Sequence, residues 1–172
     1  MPATRDHLFQ RLGELGIATR TVEHAPVYTV AESAELDRAI PGGHTKNLFL
    51  KDAKGRLFLV IAHAHAAVDL KGLPRLIGSG RLSFGKPELL LATLGVTPGS
   101  VTAFALINDG ALAVDVVIDA ALLAHDTVNC HPLSNTATTN IARDDLLRFI
   151  RSCGHAPRIL YVSGCEGVPP AP

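Results

Sequence analysis

The stretch Gly42-Gly43-His44-Thr45-Lys46-Asn47-Leu48-Phe49-Leu50-Lys51 decides the fold. Its two glycines allow a turn, and the residues after them alternate as in a β-strand, with Leu48 and Leu50 on one face and Asn47 and Phe49 on the other. The end of a strand holds a side chain in a well-defined position, and the loop that precedes it leaves room for a ligand. We therefore expect a binding site where this strand begins.

Lys46 and Asn47 lie where this strand begins. A lysine offers a point charge to an anion, and the neighbouring amide offers two donors and an acceptor. The alternative is a lysine that is simply solvated at a strand end, because most lysines are surface residues. The dipeptide alone leaves both interpretations open.

Length and composition predict one globular domain. The chain has 172 residues, of which 47% are hydrophobic, enough for one packed core and too few for two ordinary domains. We expect a single domain over residues 1–172, with a core from about residue 6 to 162 and a flexible tail over 164–172. The 16 basic residues balance the 16 acidic ones, which argues against bulk electrostatic binding of DNA.

The chain carries no visible targeting or membrane signal. Its three cysteines contain no CxxC pair, which is typical of a reduced, cytoplasmic protein. The first ten residues are polar and mixed in charge, unlike a signal peptide. No run of 18 apolar residues occurs, so we expect no membrane span.

Hydrophobic periodicity predicts interspersed helices and strands. Several strands join through hairpins that are too short for parallel crossovers, such as the turn at Gly55, so we expect a mixed sheet in an α/β (α+β) domain. We expect a loop over 78–85, a short helix within 69–77 and an extended segment over 101–106. The remaining predicted helices cover 4–15, 29–40, 87–94 and 143–153, and the predicted strands cover 17–22, 45–51, 56–63, 113–119, 128–131, 136–141 and 158–162.

The loop Gly78-Ser79-Gly80-Arg81-Leu82-Ser83-Phe84-Gly85 precedes a helix, so its backbone N–H groups are candidates to hold a phosphate or a ribose. It lacks the spacing of a P-loop and does not follow a strand, which argues against a dinucleotide site. A plain connecting loop is the alternative.

Two histidine-bearing stretches are candidates for chemistry. His63 and His65 form a possible metal half-site, with His131, Cys130 or Asp69 as a third ligand, although solvated histidines are more common. His131, between a strand and a proline turn, is able to donate, accept or transfer a proton near pH 7. Cys130 is interpreted as a small buried hydrophobe, because neighbours on a strand point to opposite faces.

Four stretches in order, Glu23–Glu32, Gly43–Leu50, Gly78–Phe84 and His131–Thr136, resemble the YbaK/prolyl-tRNA editing family. The similarity runs from about Asp6 to Val162. It is greatest to the freestanding branch that hydrolyses alanyl-tRNA(Pro), which is related to the editing insertion of bacterial prolyl-tRNA synthetases.

This resemblance implies a curved mixed sheet flanked by helices, and hydrolysis of a mischarged aminoacyl ester by water without metal, cofactor or covalent intermediate. The implied partners are the acceptor end of tRNA(Pro) and prolyl-tRNA synthetase, and the protein is expected to be a monomer or a weak homodimer. The implied catalytic residues are Lys46, Asn47 and His131, and the implied substrate-binding residues are Tyr28, Thr45, Gly78, Ser79, Gly80, Arg81, Ser83 and Asn135.

A cluster of basic residues in the first half of the chain is a candidate contact for the rest of the tRNA. Three alternatives stay open: a non-catalytic module that binds tRNA or DNA, a deacylase of another ester such as cysteinyl-tRNA(Pro), and a metal-dependent hydrolase using His63, His65 and His131. The basic cluster comprises Lys51, Lys54, Arg56, Lys71, Arg75, Arg81 and Lys86.

Overall fold

In the computed structural model, which describes residues 1–27 and 30–162 (Val30 by its backbone alone), the glycine-led stretch forms a ten-residue strand. The described residues contain eight strands and five α-helices. The strands are β1 (Thr19–Glu23), β2 (Gly43–Asp52), β3 (Leu57–His63), β4 (Leu82–Phe84), β5 (Val114–Asp119), β6 (Thr127–Cys130), β7 (Ala137–Ala142) and β8 (Arg158–Leu160). The helices are α1 (Arg5–Glu14), α2 (Val30–Ala39), α3 (Leu73–Ile77), α4 (Pro87–Leu94) and α5 (Arg143–Ser152).

The strands form one mixed sheet in the order β1-β7-β6-β2-β3-β5-β8, and β4 pairs with the distal end of β2. Pairing is parallel between β2 and β6, β3 and β5, and β5 and β8, and antiparallel elsewhere. The mixed single-domain α/β fold expected from the short hairpins is therefore confirmed. None of the helices in the described ranges has the length and apolarity needed to cross a membrane.

The alternation of β2 distributes its apolar residues between two buried clusters. Phe49 is 4% exposed and packs in the larger cluster with Leu59 and Ile61 of β3. Leu50 is fully buried in the second cluster with Phe58 and Val60. Both faces of the β2–β3 hairpin are therefore covered, which makes β2 a rigid support for the residues at its start.

The glycine pair at the start of β2 is needed because another chain segment passes close to it. Gly42 has φ +110°, and a Cβ at this position would lie 2.5 Å from Thr127 Oγ1. A Cβ on Gly43 would lie 2.8 Å from the ring of His125. The absence of side chains here lets β6 pair with the first residues of β2.

Two expectations about local structure need correction. Residues 78–85 are not entirely loop, because Leu82–Phe84 forms β4 against Leu50–Asp52. Residues 101–106 are extended only at Val101 and Thr102: Ala103–Asn108 is a 3₁₀ helix whose first turn is capped by Thr102, which accepts from the Phe104 N–H at 3.3 Å. Ala103 to Leu106 are buried on all sides, and a short apolar run of this kind has no periodicity that separates helix from strand.

Two further predictions, the helix start at Thr29 and the tail over 164–172, lie outside the described residues.

Candidate active site

A cavity of about 220 Å³ lies at the start of β2, between that strand, the ends of β6 and β7, and helix α2. Its walls combine apolar groups with hydroxyl, amide, imidazole and carboxylate groups. The described lining residues are Val27, Ser33, Leu36, Asp37, His44, Thr45, Ala64, Asn129, Cys130, His131 and Thr138.

Thr45 joins the two strands that form the base of the cavity. Its hydroxyl donates to the carbonyl oxygen of Asn129 at 2.7 Å, one residue beyond the short parallel pairing of β2 with β6. The structure thus brings Thr45 and His131, two predicted site residues, to one cavity. Their roles toward a substrate stay predictions.

His131 is held as a neutral imidazole. Burial lowers its pKa, helped by the proximity of His24 and opposed by the hydrogen bond to Ala137. Its Nδ1 lies 3.1 Å from the carbonyl oxygen of Ala137, so Nδ1 carries the proton and donates it there. The nitrogen left for a ligand is Nε2, whose lone pair accepts a hydrogen bond from water or a hydroxyl group.

Cys130 is not a nucleophile at neutral pH. Its side chain is 2% exposed in the larger core cluster, and burial raises the pKa of its thiol to about 12, against the smaller effect of the Thr45 hydroxyl. The attacking species in cysteine chemistry is the thiolate, which is scarce at such a pKa. The interpretation of Cys130 as a small buried hydrophobe is confirmed.

Lys46 follows Thr45 on β2 and is not one of the described residues that line the cavity. Its ammonium group donates to the carbonyl oxygen of Ala66, in the turn that follows β3. That turn also contributes Ala64 to the cavity wall, and the Ala64 N–H donates to the His44 carbonyl at 2.7 Å. An ammonium group has three donors, so a tethered Lys46 retains donors for an anion at the rim.

Asn47 is partly buried, and its Oδ1 is fully buried without a hydrogen-bond donor from any described residue. A buried acceptor left unpaired costs about 1–3 kcal/mol. Asn47 is not among the described residues that line the cavity.

The glycine-rich segment does not lie at this cavity, contrary to expectation. Asp52, at the far end of β2, accepts from the Gly80 N–H at 3.0 Å, and Ser83 pairs with Lys51. Thr45 and Asp52 are seven positions apart on β2, which at about 3.3 Å per residue separates them by roughly 20 Å. Gly78, Ser79, Gly80, Arg81 and Ser83 are therefore grouped together, but remote from Thr45 and His131.

Asp52 holds this segment through its charge. Burial alone would raise the pKa of the Asp52 carboxyl, but hydrogen bonds from the backbone of Gly80, Arg56 and Lys54, with the charge of Arg56, bring the net shift below the ordinary value. A second cavity lies here, with Lys51, Ser83, Phe84 and Lys86 in its wall. The predicted basic cluster therefore has several members at the end of β2 opposite His131.

Asn135, another predicted site residue, is also absent from the described cavity wall. Asn135 lies against Gly99, where its Nδ2 would be 3.4 Å from an added Cβ. Tyr28 lies outside the described residues.

The histidines of the metal hypothesis are arranged in two places. The ring of His63 stacks on that of His125 at 5.2 Å and lies 5.6 Å from that of His65, while His131 lines the cavity. Within residues 1–27 and 30–162, no group of three or more His, Cys, Asp or Glu side chains is placed to hold a metal ion.

Sequence analysis missed the contribution of α2. Ser33, Leu36 and Asp37 line the cavity, and their i, i+3, i+4 spacing, a signal present in the sequence, places them on one helix face. Asp37 Oδ1 lies 3.1 Å from His44 Nδ1, and Asp37 Oδ2 lies 3.3 Å from His65 Nε2.

His24 was also missed as an anchor. Its Nδ1 donates to the Ala25 carbonyl at 2.8 Å, so its Nε2 accepts from the Thr138 hydroxyl at 2.8 Å. These contacts fix the segment that carries Val27 to the cavity wall.

Comparison with known proteins connects this geometry to a family. The profile described as the aminoacyl-tRNA editing domain matches residues 24–149, well over half of the chain. Prolyl-tRNA synthetase associated domain-containing protein 1 of Danio rerio is 40% identical over 158 residues, covering 91% of this chain and 86% of the relative. Prolyl-tRNA editing protein ProX of Acetoanaerobium sticklandii is 39% identical over 146 residues, covering 84% of this chain and 89% of the relative.

A crystal structure provisionally identified as a trans-editing enzyme for prolyl tRNA synthetase superposes with a TM-score of 0.69. It shares 20% sequence identity and covers 95% of this chain and 99% of its own. At this identity the similarity supports the fold.

Proposed function

The chain belongs to the family of aminoacyl-tRNA editing domains, and from this membership we propose that it is a trans-acting deacylase that hydrolyses mischarged alanyl-tRNA(Pro). The observation that carries the proposal is the small cavity that joins Thr45 to a neutral His131. The reaction belongs in the cytoplasm, where aminoacyl-tRNAs are used.

The size of the cavity supports a small acyl group as its occupant. Ligand pockets commonly measure about 300–1,000 Å³, and this one measures about 220 Å³. An alanyl group would enter, while the terminal adenosine would stay at the rim, near Lys46. Selection by size suits an editing enzyme, because a synthetase rejects a smaller analogue by only about 1–3 kcal/mol per methylene.

The chemistry requires a placed water more than a strong nucleophile, since an aminoacyl ester is already activated. His131 Nε2 accepts a hydrogen bond from the water and orients it toward the ester carbonyl. The water oxygen bonds to the carbonyl carbon and releases a proton, the bond from that carbon to the ribose oxygen breaks, and the ribose oxygen takes up a proton in place of the one that the water released. The products are the free amino acid and the tRNA with its terminal hydroxyl restored.

Lys46 anchors the terminal phosphate of the tRNA. The basic residues at the far end of β2, including Lys51, Arg81 and Lys86, contact phosphates of the acceptor stem. A separation of roughly 20 Å from the cavity suits contacts beyond the CCA end. Prolyl-tRNA synthetase is the proposed source of the substrate.

The proposal is tested by a deacylation panel of alanyl, cysteinyl, seryl and prolyl esters on the same tRNA(Pro). We expect rapid hydrolysis of the alanyl ester and none of the prolyl ester, with activity unchanged in EDTA. Preferential hydrolysis of the cysteinyl ester would reassign the substrate. Salt-dependent tRNA binding without hydrolysis of any ester would identify a binding module and refute the enzymatic proposal.

A further inference from the structure

Asp37 is the acidic residue of the cavity wall. The described lining residues include no other Asp or Glu and no Lys or Arg. The side chain of Asp37 is 18% exposed, so its carboxylate is partly withdrawn from water yet open to the cavity. A partly desolvated carboxylate attracts a cation more strongly than one in bulk solvent.

Two histidines lie next to this carboxylate. His44 Nδ1 lies 3.1 Å from Oδ1, and the other nitrogen of His44 lies 2.7 Å from the Ile40 carbonyl oxygen. His65 lies 3.3 Å from Oδ2, but its side chain is 71% exposed, so solvent weakens its interaction. A carboxylate has about four lone-pair sites, so two neighbours leave it able to accept further hydrogen bonds.

His44 is not free to act as a base in the manner of an Asp–His pair. Such a base needs its second nitrogen directed at the reacting group. In His44 that nitrogen is taken by the Ile40 carbonyl. Because the Ile40 carbonyl takes an N–H of His44, a neutral His44 has no second N–H to donate to Asp37.

We propose that Asp37 binds the α-ammonium group of the aminoacyl ester, which makes the enzyme selective for esters with a free amino group. This inference rests on the proposed deacylase function and adds a charge criterion to the size criterion. The ammonium is attached to the carbon next to the ester carbonyl, so its contact with Asp37 would also orient that carbonyl toward the water at His131. Asp37 thus acts as a specificity-determining residue.

The test compares L-alanyl-tRNA(Pro) with L-lactyl-tRNA(Pro), in which a neutral hydroxyl of similar size replaces the ammonium. Both are assayed near pH 6.5, below the ordinary α-amino pKa of about 7.7–8.0. We expect Asp37→Asn, which removes the charge but keeps the shape, to lower kcat/KM for the alanyl ester about tenfold or more, and to change the lactyl ester less than about twofold.

The matched control is His65→Gln, which removes an exposed neighbour of Asp37 and leaves the carboxylate in place. It should leave the ratio of the two esters unchanged. Loss of activity toward both esters by the same factor in Asp37→Asn would show that Asp37 only supports His44, and would overturn the inference. An unchanged rate for both esters would overturn it equally.

A binding measurement on the wild-type protein separates this inference from the deacylase proposal and from any failure of Asp37→Asn to fold. The probes are 3′-(L-alanylamino)-3′-deoxyadenosine and its L-lactyl counterpart, whose amide bonds resist hydrolysis. We expect the alanyl probe to bind about tenfold more tightly in calorimetry. Equal affinities would refute the ammonium site even if the enzyme deacylates, and a tenfold preference would support it even if no ester is cleaved.

Discussion

The replacement of Lys46 by alanine tests the anchoring role of the ammonium group. In the structure this lysine is partly buried and makes one side-chain hydrogen bond, to the Ala66 carbonyl. Losing one such bond costs about 0.5–1.5 kcal/mol of folding stability. For a chain of this length that corresponds to a decrease in Tm of about 2–4 °C per kcal/mol, so the variant should remain folded.

The catalytic effect should be much larger. If the ammonium anchors the terminal phosphate and so places the ester over the cavity, its removal should lower kcat/KM for alanyl-tRNA(Pro) by about 10²–10³. The assay is hydrolysis of the ester under single-turnover conditions, with Tm measured by circular dichroism on the same preparation.

The matched control is Lys51→Ala, which removes an exposed lysine from the same strand, away from the cavity. We expect it to weaken tRNA binding modestly, with a salt dependence typical of a phosphate contact, and to leave the hydrolytic step intact. Near-normal turnover by Lys46→Ala, or an equal loss in Lys51→Ala, would refute the reasoning.

Three further predictions concern pH and packing. Because burial lowers the pKa of His131, the acid limb of the pH profile of kcat/KM should have its midpoint below the ordinary histidine value of about 6.5. The variant His131→Asn should lack that limb. A midpoint above about 6.5 would contradict the role of His131 as a neutral hydrogen-bond acceptor. Burial and the neighbouring His125 and His65 also lower the pKa of His63. The unfolded chain then binds more protons than the folded chain between the folded pKa and about 6.5, so the free energy of unfolding should fall as pH decreases through this window. Urea titrations at several pH values should show a less steep fall in His63→Gln than in the wild-type protein. Gly85→Ala should cost about 1–3 kcal/mol of stability, because the added Cβ would lie 2.4 Å from the Phe49 ring. The control Gly110→Ala, whose Cβ would have no atom within 4 Å, should be nearly neutral. Equal Tm values for the two variants would show that the Phe49 side chain moves aside at little cost.

Hydrophobic alternation was sufficient to predict most of the sheet. The opposite faces of β2 were assigned from Leu48, Phe49 and Leu50 alone, and the structure buries Phe49 in one cluster and Leu50 in the other. Period-two alternation reports which face a side chain takes, because the strand geometry is regular. It failed at residues 101–106, where burial on every side removed the periodic signal.

The candidate site was only partly predictable for a related reason. Thr45 and His131 could be singled out from the strand start and the proline turn, and the family resemblance followed from the order of the motifs. The contribution of Asp37 could not be assigned, since nothing in the spacing of α2 states which strand end the helix covers. Nor does the local spacing of the glycine-rich segment state at which end of β2 it lies.

The sequence by itself determined the strand faces, the hairpin turns and the family, because these depend on residue type and local spacing. Only the tertiary structure decided that Asp37 meets His44 at the cavity while Asp52 draws Gly80 to the other end of β2. Both outcomes depend on which distant segments pair and in what register. The pairing and its register depend on long-range packing and on hydrogen bonds between carboxylates and donors that are distant in the sequence. A local sequence pattern does not encode either of them.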